Sequence, residues 1–361
     1  MNKEIVANNL RPSRAGRWVH CPGGLKYIDS PAGQPAKDGI HMHALAATWL
    51  NAGVRGLFPS KPEGSAPADF LEAAHAYAKN CLSVARTYRV FGGPYFGIEK
   101  KIRMPSIHPL LSGTPDFFVF SREQNEIFIS DLKTGFGPVG AYENWQLICY
   151  AQGVIDSVLG DLARPDTKVF LRIVQPRLYS RHSQWNTTVE GLKPYVATLR
   201  AAAENALSDK PSFKAGSHCQ YCTGKANCPW LYGGAYLGVE YITGAPAIEL
   251  TPLSIAKELD ILTEAFDLLK HRIAGIEAAG MALIDGGAPI PGYTVDFRPG
   301  TLEWSVPEKD ALGMATAVGV DITRPGLITP TQAKKAGLPE AILKLISKRK
   351  TGKKGLKKVK E

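Results

Sequence analysis

Asp116, Asp131 and Lys133 are the residues whose types and spacing best suit chemistry. They lie in Ser112-Gly113-Thr114-Pro115-Asp116-Phe117-Phe118 and in Ile127-Phe128-Ile129-Ser130-Asp131-Leu132-Lys133-Thr134. Each stretch sets a carboxylate in an apolar, strand-forming run. Asp131 and Lys133 are two apart, so on a strand they leave the same face. Pairing the two runs as a hairpin brings Asp116 toward Asp131. Two such acids repel unless a cation lies between them, and hard oxygen ligands suit Mg²⁺ or Mn²⁺. An ion held there would polarise a phosphodiester and acidify bound water. Lys133 would orient that water or offset charge in the transition state. Taken singly, each half also reads as ordinary, a turn aspartate and a surface ion pair. Together and in this order they point to metal-assisted hydrolysis.

A second set of chemistry-bearing residues is made of thiols. Cys219-x-x-Cys222-x5-Cys228-Pro229 places three cysteines within ten residues. Cys81 and Cys149 fall in apolar helical runs and read as buried thiols. Cys21, in the turn signal Cys21-Pro22-Gly23-Gly24, is the fourth candidate ligand. A long chain beginning Met1-Asn2-Lys3-Glu4, without a secretory leader, favours a metal or cluster site over disulfides. Such a site would tie the N-terminal segment to a point nearly 200 residues further on, an effect on the unfolded chain that grows with loop length.

The elements that must position these groups follow from pattern. Helices are expected over 39–51 and 68–88, separated by a Gly-, Pro- and Ser-rich loop at 56–67. The period then changes to that of strands at 95–104, 113–120 and 126–133, a three-stranded meander. A helix over 142–159, a strand over 168–175, an extended piece over 183–189 and a helix over 192–208 lead into the cysteine triplet. Glycines 233, 234, 238 and 244 mark a boundary near 232–246. Beyond it Thr251-Pro252 starts a long helix to about 284. A small hairpin is expected over 291–306, then helices near 308 and 331. This gives an α/β domain over 1–235, a mainly helical subdomain over 246–346 and a tail over 347–361.

Composition bounds the partners. Apolar residues are 44% and charged residues 21% of the 361, and no apolar run approaches the roughly 20 residues of a membrane span. A cytoplasmic location is expected, with no membrane partner. The net charge is +10, and +7 of it lies between Lys348 and Glu361. Alone, that tail reads as disordered and as a nonspecific polyanion arm. There is no Gly-x4-Gly-Lys-Ser/Thr loop, so no P-loop motor is expected.

The two halves of the acidic motif resemble the PD-(D/E)XK nuclease superfamily, in its RecB-like branch. Gly113 to Asp116 match Gly-x-x-Asp, and Asp131, Lys133 and Thr134 match Asp-x-Lys-Thr. The resemblance implies an αβββαβ core with a mixed central sheet flanked by helices, with Asp116 and Asp131 as metal ligands and Lys133 as the catalytic lysine. Gly39-Ile40-His41-Met42-His43 is similar to the family's helical Gly-x-x-x-His, which implies His43 as a third ligand. Gln146 and Tyr150 match Gln-x-x-x-Tyr, and their spacing puts both on one helix face, toward substrate. Glu99 stands where the first core strand carries an acid. It either tunes the site or pairs with Lys100, Lys101 or Arg103.

One distant cysteine plus a triplet is similar to the iron–sulfur subgroup, which includes the bacterial AddB subunit and CRISPR-associated RecB-like exonucleases. It implies a [4Fe–4S] cluster on Cys21, Cys219, Cys222 and Cys228. Zn²⁺ is the second choice, since zinc sites more often use paired Cys-x-x-Cys arms. Arg17-Trp18-x-x-Cys21-Pro22-Gly23 and Ile290-Pro291-Gly292-Tyr293 extend the likeness to an uncharacterised phage family of RecB-like nucleases. The implied function is a DNA exonuclease of phage recombination or replication. A phage single-strand annealing or single-strand-binding protein is the implied partner. A structure-selective endonuclease and a non-catalytic DNA-binding scaffold are the alternatives. Pro115 departs from an ordinary strand by removing a backbone donor just before Asp116, which implies a bulge or an edge.

Overall fold

Apolar residues on both faces of the middle strands dictate a sheet covered by helices on each side. The computed structural model describes residues 3–27, 34–178, 182–244, 251–323 and 327–358. The chain divides into two compact units, Met1–His271 and Arg272–Glu361.

The first unit begins with short helices α1 (Lys3–Asn9) and α2 (Ala15–Trp18), then long helices α3 (Gln34–Val54) and α4 (Ala68–Tyr88). Strands β1 (Phe96–Ile98), β2 (Ile102–Arg103), β3 (Ser112–Gly113), β4 (Phe117–Ser121) and β5 (Glu126–Leu132) follow. Helix α5 (Trp145–Val154), strands β6 (Lys168–Val174) and β7 (His182–Thr188), and helices α6 (Val189–Leu207) and α7 (Pro229–Gly244) lead into α8 (Pro252–Asp285). The sheet order is β1-β4-β5-β6-β7. Its β5–β6 pairing is parallel and the others antiparallel, so the sheet is mixed.

Period-2 alternation sorts the side chains. Phe118, Phe120, Ile127, Ile129, Leu171 and Ile173 pack in a core with Leu147, Ile148 and Tyr150 of α5 and with α6. Phe117, Val119, Phe128, Leu132 and Val174 face the other way, into a core with α3 and α4. Parity then decides the site. Asp131 has the parity of Ile127 and Ile129 and so belongs to the α5 side. From the α4 side the fully buried Tyr77 donates its hydroxyl hydrogen to the Ser130 carbonyl, 3.1 Å away.

Several expected elements change at identifiable residues. The strand expected over 95–104 breaks at Glu99, whose φ of +47° turns the chain, and its second half pairs as β2 with β3 in a separate ribbon. The strand expected over 113–120 breaks at Pro115, leaving Asp116 at the entrance to β4. The helix expected over 142–159 is α-helical only to Val154 and finishes as a π turn, Ile155–Leu159. The boundary expected near 232–246 is displaced into α8, and residues 245–250 lie outside the described residues. The start of α8 stays with the first unit because Leu268 packs on Leu231 and Cys219.

In the second unit, helices α9 (Glu308–Ala317), α10 (Pro330–Lys335) and α11 (Glu340–Ile346) enclose a small core of Ala311, Ala315, Ile322, Ala333, Leu343 and Ile346. Thr329 and Gln332 form a reciprocal capping box on α10. The expected hairpin at 291–306 and the expected disordered tail are both corrected here. Residues 293–304 form one strand, β8 (Tyr293–Trp304), and its partner is β9 (Ser347–Lys358), cut from the basic tail. An unpaired β8 would leave its backbone donors and acceptors open, and a lysine-rich strand is well suited to a sheet edge.

Candidate active site

Three elements converge on the end of β5. The β4–β5 register pairs Phe117 with Ser130, and one step further sets Asp116 opposite Asp131. The Leu132 amide donates to Asp116 Oδ2 at 2.6 Å, fixing the Asp116 carboxylate. His43 arrives from α3 with Nδ1 3.1 Å from Asp116 Oδ1 and 4.0 Å from Glu99 Oε1. The turn at Glu99 is anchored by its own amide, which donates to the Asp116 carbonyl at 3.2 Å. Ligand atoms of His43, Glu99 and Asp116 all lie within 4.8 Å of one another. They open into a cleft of about 610 Å³ that Gly39, Ile40 and Thr134 also line. Gly39 serves close approach here: a Cβ would sit 3.1 Å from Thr134 Oγ1.

Asp131 stands beside this trio, held differently. Lys133 Nζ lies 2.7 Å from Asp131 Oδ2 and donates to Gln146 Oε1 at 2.7 Å, while Gln146 Nε2 donates to Asp131 Oδ1 at 2.8 Å. Gln146 Nε2 also reaches the Tyr150 hydroxyl at 3.3 Å. Gln146 therefore orients the lysine and the acid together. Asp131 Oδ2 is close enough to Lys133 to form an ion pair, yet it accepts no well-aligned hydrogen bond and is buried. A lone pair on Oδ2 is thus left over beside the ion pair, which suits a cation ligand.

The electrostatics agree with that fit. Burial pushes the Asp131 carboxyl up, with Lys133 opposing and Asp116 adding to the rise. Burial and then the Asp116 charge push Glu99 up to about 7, against the pull of His43. For His43, burial alone would lower the pKa. The Asp116 hydrogen bond and the charges of Asp116, Asp131 and Glu99 outweigh it, and the net shift is upward. Crowding of these acids around an imidazole resists their ionisation, and a divalent cation that offsets the shared negative charge would relieve it.

The structure thus brings together His43, Glu99 and Asp116 as one group and Asp131, Lys133, Gln146 and Tyr150 as another, adjoining it. Glu99, expected either to tune the site or to pair with Lys100, Lys101 or Arg103, faces His43. Gln175 was not singled out by its sequence. It is buried, accepts from the Val139 amide at 2.7 Å, and donates to the Gly135 and Gly137 carbonyls at 3.3 and 2.9 Å. The available signal was a polar side chain ending an apolar strand, just before Pro176.

The four cysteines meet elsewhere in the same unit. Cys21, Cys219, Cys222 and Cys228 line one small closed pocket with Arg17, Tyr27 and His218. The Gly23 amide donates to the Ser212 carbonyl at 2.8 Å, and Phe213 stacks on Trp230 at 4.5 Å. A Cβ on Gly23 would meet Phe213 at 2.4 Å and one on Gly224 would meet Tyr27 at 2.4 Å, so both glycines are required by close approach. Among the described residues no three of the Sγ atoms lie within 4.8 Å of one another. Burial raises the Cys21 thiol and pushes Cys219 up to about 11. Cys81 and Cys149 are buried in α4 and α5, away from this pocket.

No helix among the described residues is long and apolar enough to cross a membrane. Residues 8–357 match the family described as "Protein of unknown function (DUF2800)", and over that span, nearly the whole sequence, the chain belongs to the DUF2800 family.

Proposed function

We propose that the chain is a RecB-like PD-(D/E)XK deoxyribonuclease, acting as a Mg²⁺- or Mn²⁺-dependent exonuclease in phage or prophage DNA recombination or replication. The observation that carries the reading is the convergence of His43, Glu99 and Asp116 beside an Asp131–Lys133–Gln146 network at the mouth of one cleft. A divalent ion held there would supply Lewis acidity toward a phosphodiester and would lower the pKa of water so that it can act as a nucleophile. His43, Asp116 and Asp131 are the residues proposed to hold it, with Glu99 as a fourth donor. Lys133 brings a positive charge to the reacting phosphate, and Gln146 keeps its ammonium aimed by accepting one of its hydrogens. Tyr150 braces Gln146 from the same helix face.

The four cysteines of the closed pocket fit a thiolate-bound group, and we assign them a [4Fe–4S] cluster ahead of Zn²⁺. The one-plus-three cysteine spacing is like that of the iron–sulfur subgroup, whereas zinc sites more often use paired Cys-x-x-Cys arms. Its role is to fasten the segment around Cys21 to the end of the domain. The β8–β9 ribbon adds a basic strand to the second unit and supports nonspecific phosphate binding, with DNA as the partner.

The reading is tested by digesting linear and covalently closed circular DNA in Mg²⁺ or Mn²⁺. Nucleotide release from linear DNA alone, lost in Asp116→Ala, is expected. Equal attack on the closed circle would favour an endonuclease, and binding without cleavage in either metal would favour a DNA-binding scaffold.

A further inference from the structure

The loop that follows Lys133 carries Phe136 at its tip, with 71% of its surface exposed. An exposed phenylalanine on a loose loop would mean little. This loop is not loose. Buried Gln175 holds it from beneath through the Gly135 and Gly137 carbonyls and the Val139 amide. Arg177 holds it from the side: its guanidinium lies 5.0 Å from the Phe136 ring centre and 5.3 Å from that of Phe70, pairs with Asp69, and donates to the Thr134 carbonyl at 3.3 Å. Thr134 lines the acidic cleft, so the ring is fixed two residues from the cleft wall. Burying that ring in the protein would gain apolar stabilisation, yet the hydrogen bonds point it outward. Such an arrangement presents a flat π face, already ordered, beside the place where a phosphodiester would react.

We infer that Phe136 is a stacking platform for a nucleobase and that the cleft takes a single-stranded or frayed DNA end. Base–aromatic stacking is indifferent to sequence because every base has a π face, and pre-ordering the ring lowers the entropy lost on binding. A paired, stacked base in a duplex offers no free face to this ring. Arg177 steadies the ring, with one terminal nitrogen on Asp69 and the other on the Thr134 carbonyl. Phe136 is therefore a positioning and specificity residue, outside the acid–lysine network.

This inference rests on the nuclease reading for its cleft, but its test does not need cleavage. The full-length protein is titrated in EDTA with labelled single-stranded oligodeoxythymidine and with a covalently closed circular duplex, which has no ends. Phe136→Ala and Phe136→Leu are expected to weaken single-strand binding about tenfold, while duplex affinity changes by less than about twofold. In Phe136→Trp, fluorescence in excess of the wild-type signal should be quenched by the oligonucleotide and not by an abasic strand of equal length. Unchanged single-strand affinity in Phe136→Ala, or equal quenching by the abasic strand, would overturn the inference. Wild-type protein that stacks bases but cleaves nothing in Mg²⁺ or Mn²⁺ would sink the nuclease reading and keep this one. Cleavage that depends on Asp131, with Phe136→Ala binding normally, would do the reverse.

Discussion

The acidic cleft and the cysteine pocket both gather residues from distant parts of the chain, yet they are built on opposite principles. In the cleft, protein groups already hold the reactive atoms: Asp116 by the Leu132 amide, Asp131 by Gln146 and Lys133, and Glu99 by its own turn. In the pocket Cys21 and Cys219 are buried and raised in pKa, Cys222 and Cys228 are half-buried, and the surroundings are set largely by close packing of Gly23 on Phe213 and Gly224 on Tyr27. A site with polar scaffolding keeps its shape while an ion comes and goes. A site of buried thiols derives its closure from whatever the thiolates bind. The comparison assigns exchangeable chemistry to the first and permanent fastening to the second.

The largest expected effect separates activity from stability at the cleft. Asp131→Ala and Lys133→Ala should each reduce cleavage of linear DNA by about a thousandfold or more, with the secondary structure seen by circular dichroism intact. Near-wild-type rates would break the comparison on the catalytic side. The reverse pattern is expected at the pocket. Cys219→Ser with Cys222→Ser should lower the melting temperature by about 10 °C and expose amides around residues 15–27 to hydrogen exchange. Protein purified anaerobically should be brown and contain iron, and both features should vanish in that double variant. Zinc in colourless protein would replace the cluster assignment.

A smaller effect concerns protons. Glu99 is raised to about 7 and His43 is raised above its ordinary value, so both are more protonated in the folded than in the unfolded chain. For each group the folded state binds the excess proton below its raised pKa. For Glu99 that stabilisation is lost as pH rises through about 7, and for His43 as pH rises above the ordinary imidazole range, so the metal-free protein should melt lower at pH 8 than at pH 6. Bound metal must displace the same protons, so Mn²⁺ affinity should change in the opposite direction and be greater at pH 8. Glu99→Gln should flatten part of both dependences in calorimetry, and a wild-type slope in that variant would show that the acids do not share one cation.

The smallest effect lies in the second unit. Replacing Lys353, Lys354, Lys357 and Lys358 with glutamine should reduce the salt dependence of duplex binding by up to about 0.9 per lost phosphate contact, measured as the slope of log affinity against log salt. The maximal cleavage rate at saturating DNA should not change. An unaltered slope would leave β9 a structural edge and nothing more.

Much of the cleft was legible because its chemistry is local in sequence. Asp131 and Lys133 are two apart on one strand, Gln146 and Tyr150 four apart on one helix, and each spacing fixes a shared face. The role of Glu99 was not legible, because it depends on a single positive φ that cuts a strand in two. Gln175 escaped notice for a similar reason: its partners are backbone groups some forty residues earlier, and no side-chain pattern announces them. The cysteine grouping was readable from spacing for three residues, and for Cys21 from its turn signal once Cys81 and Cys149 read as helical, buried thiols; the fold brings Cys21 into the same pocket. In residues 347–358 the basic composition suggests disorder, but charge density argues for disorder only when no edge strand offers the backbone a ladder. Here β8 does.

The most direct test of the account is single-turnover digestion of end-labelled linear DNA as Mn²⁺ is titrated, with wild type and Asp116→Asn compared at pH 8. Wild type should show no release without metal and saturable release with it. Asp116→Asn should require far more metal and cleave far more slowly. Release that is independent of Mn²⁺, or identical metal dependence in the two proteins, would contradict the proposal that the acids around His43 form a catalytic metal centre.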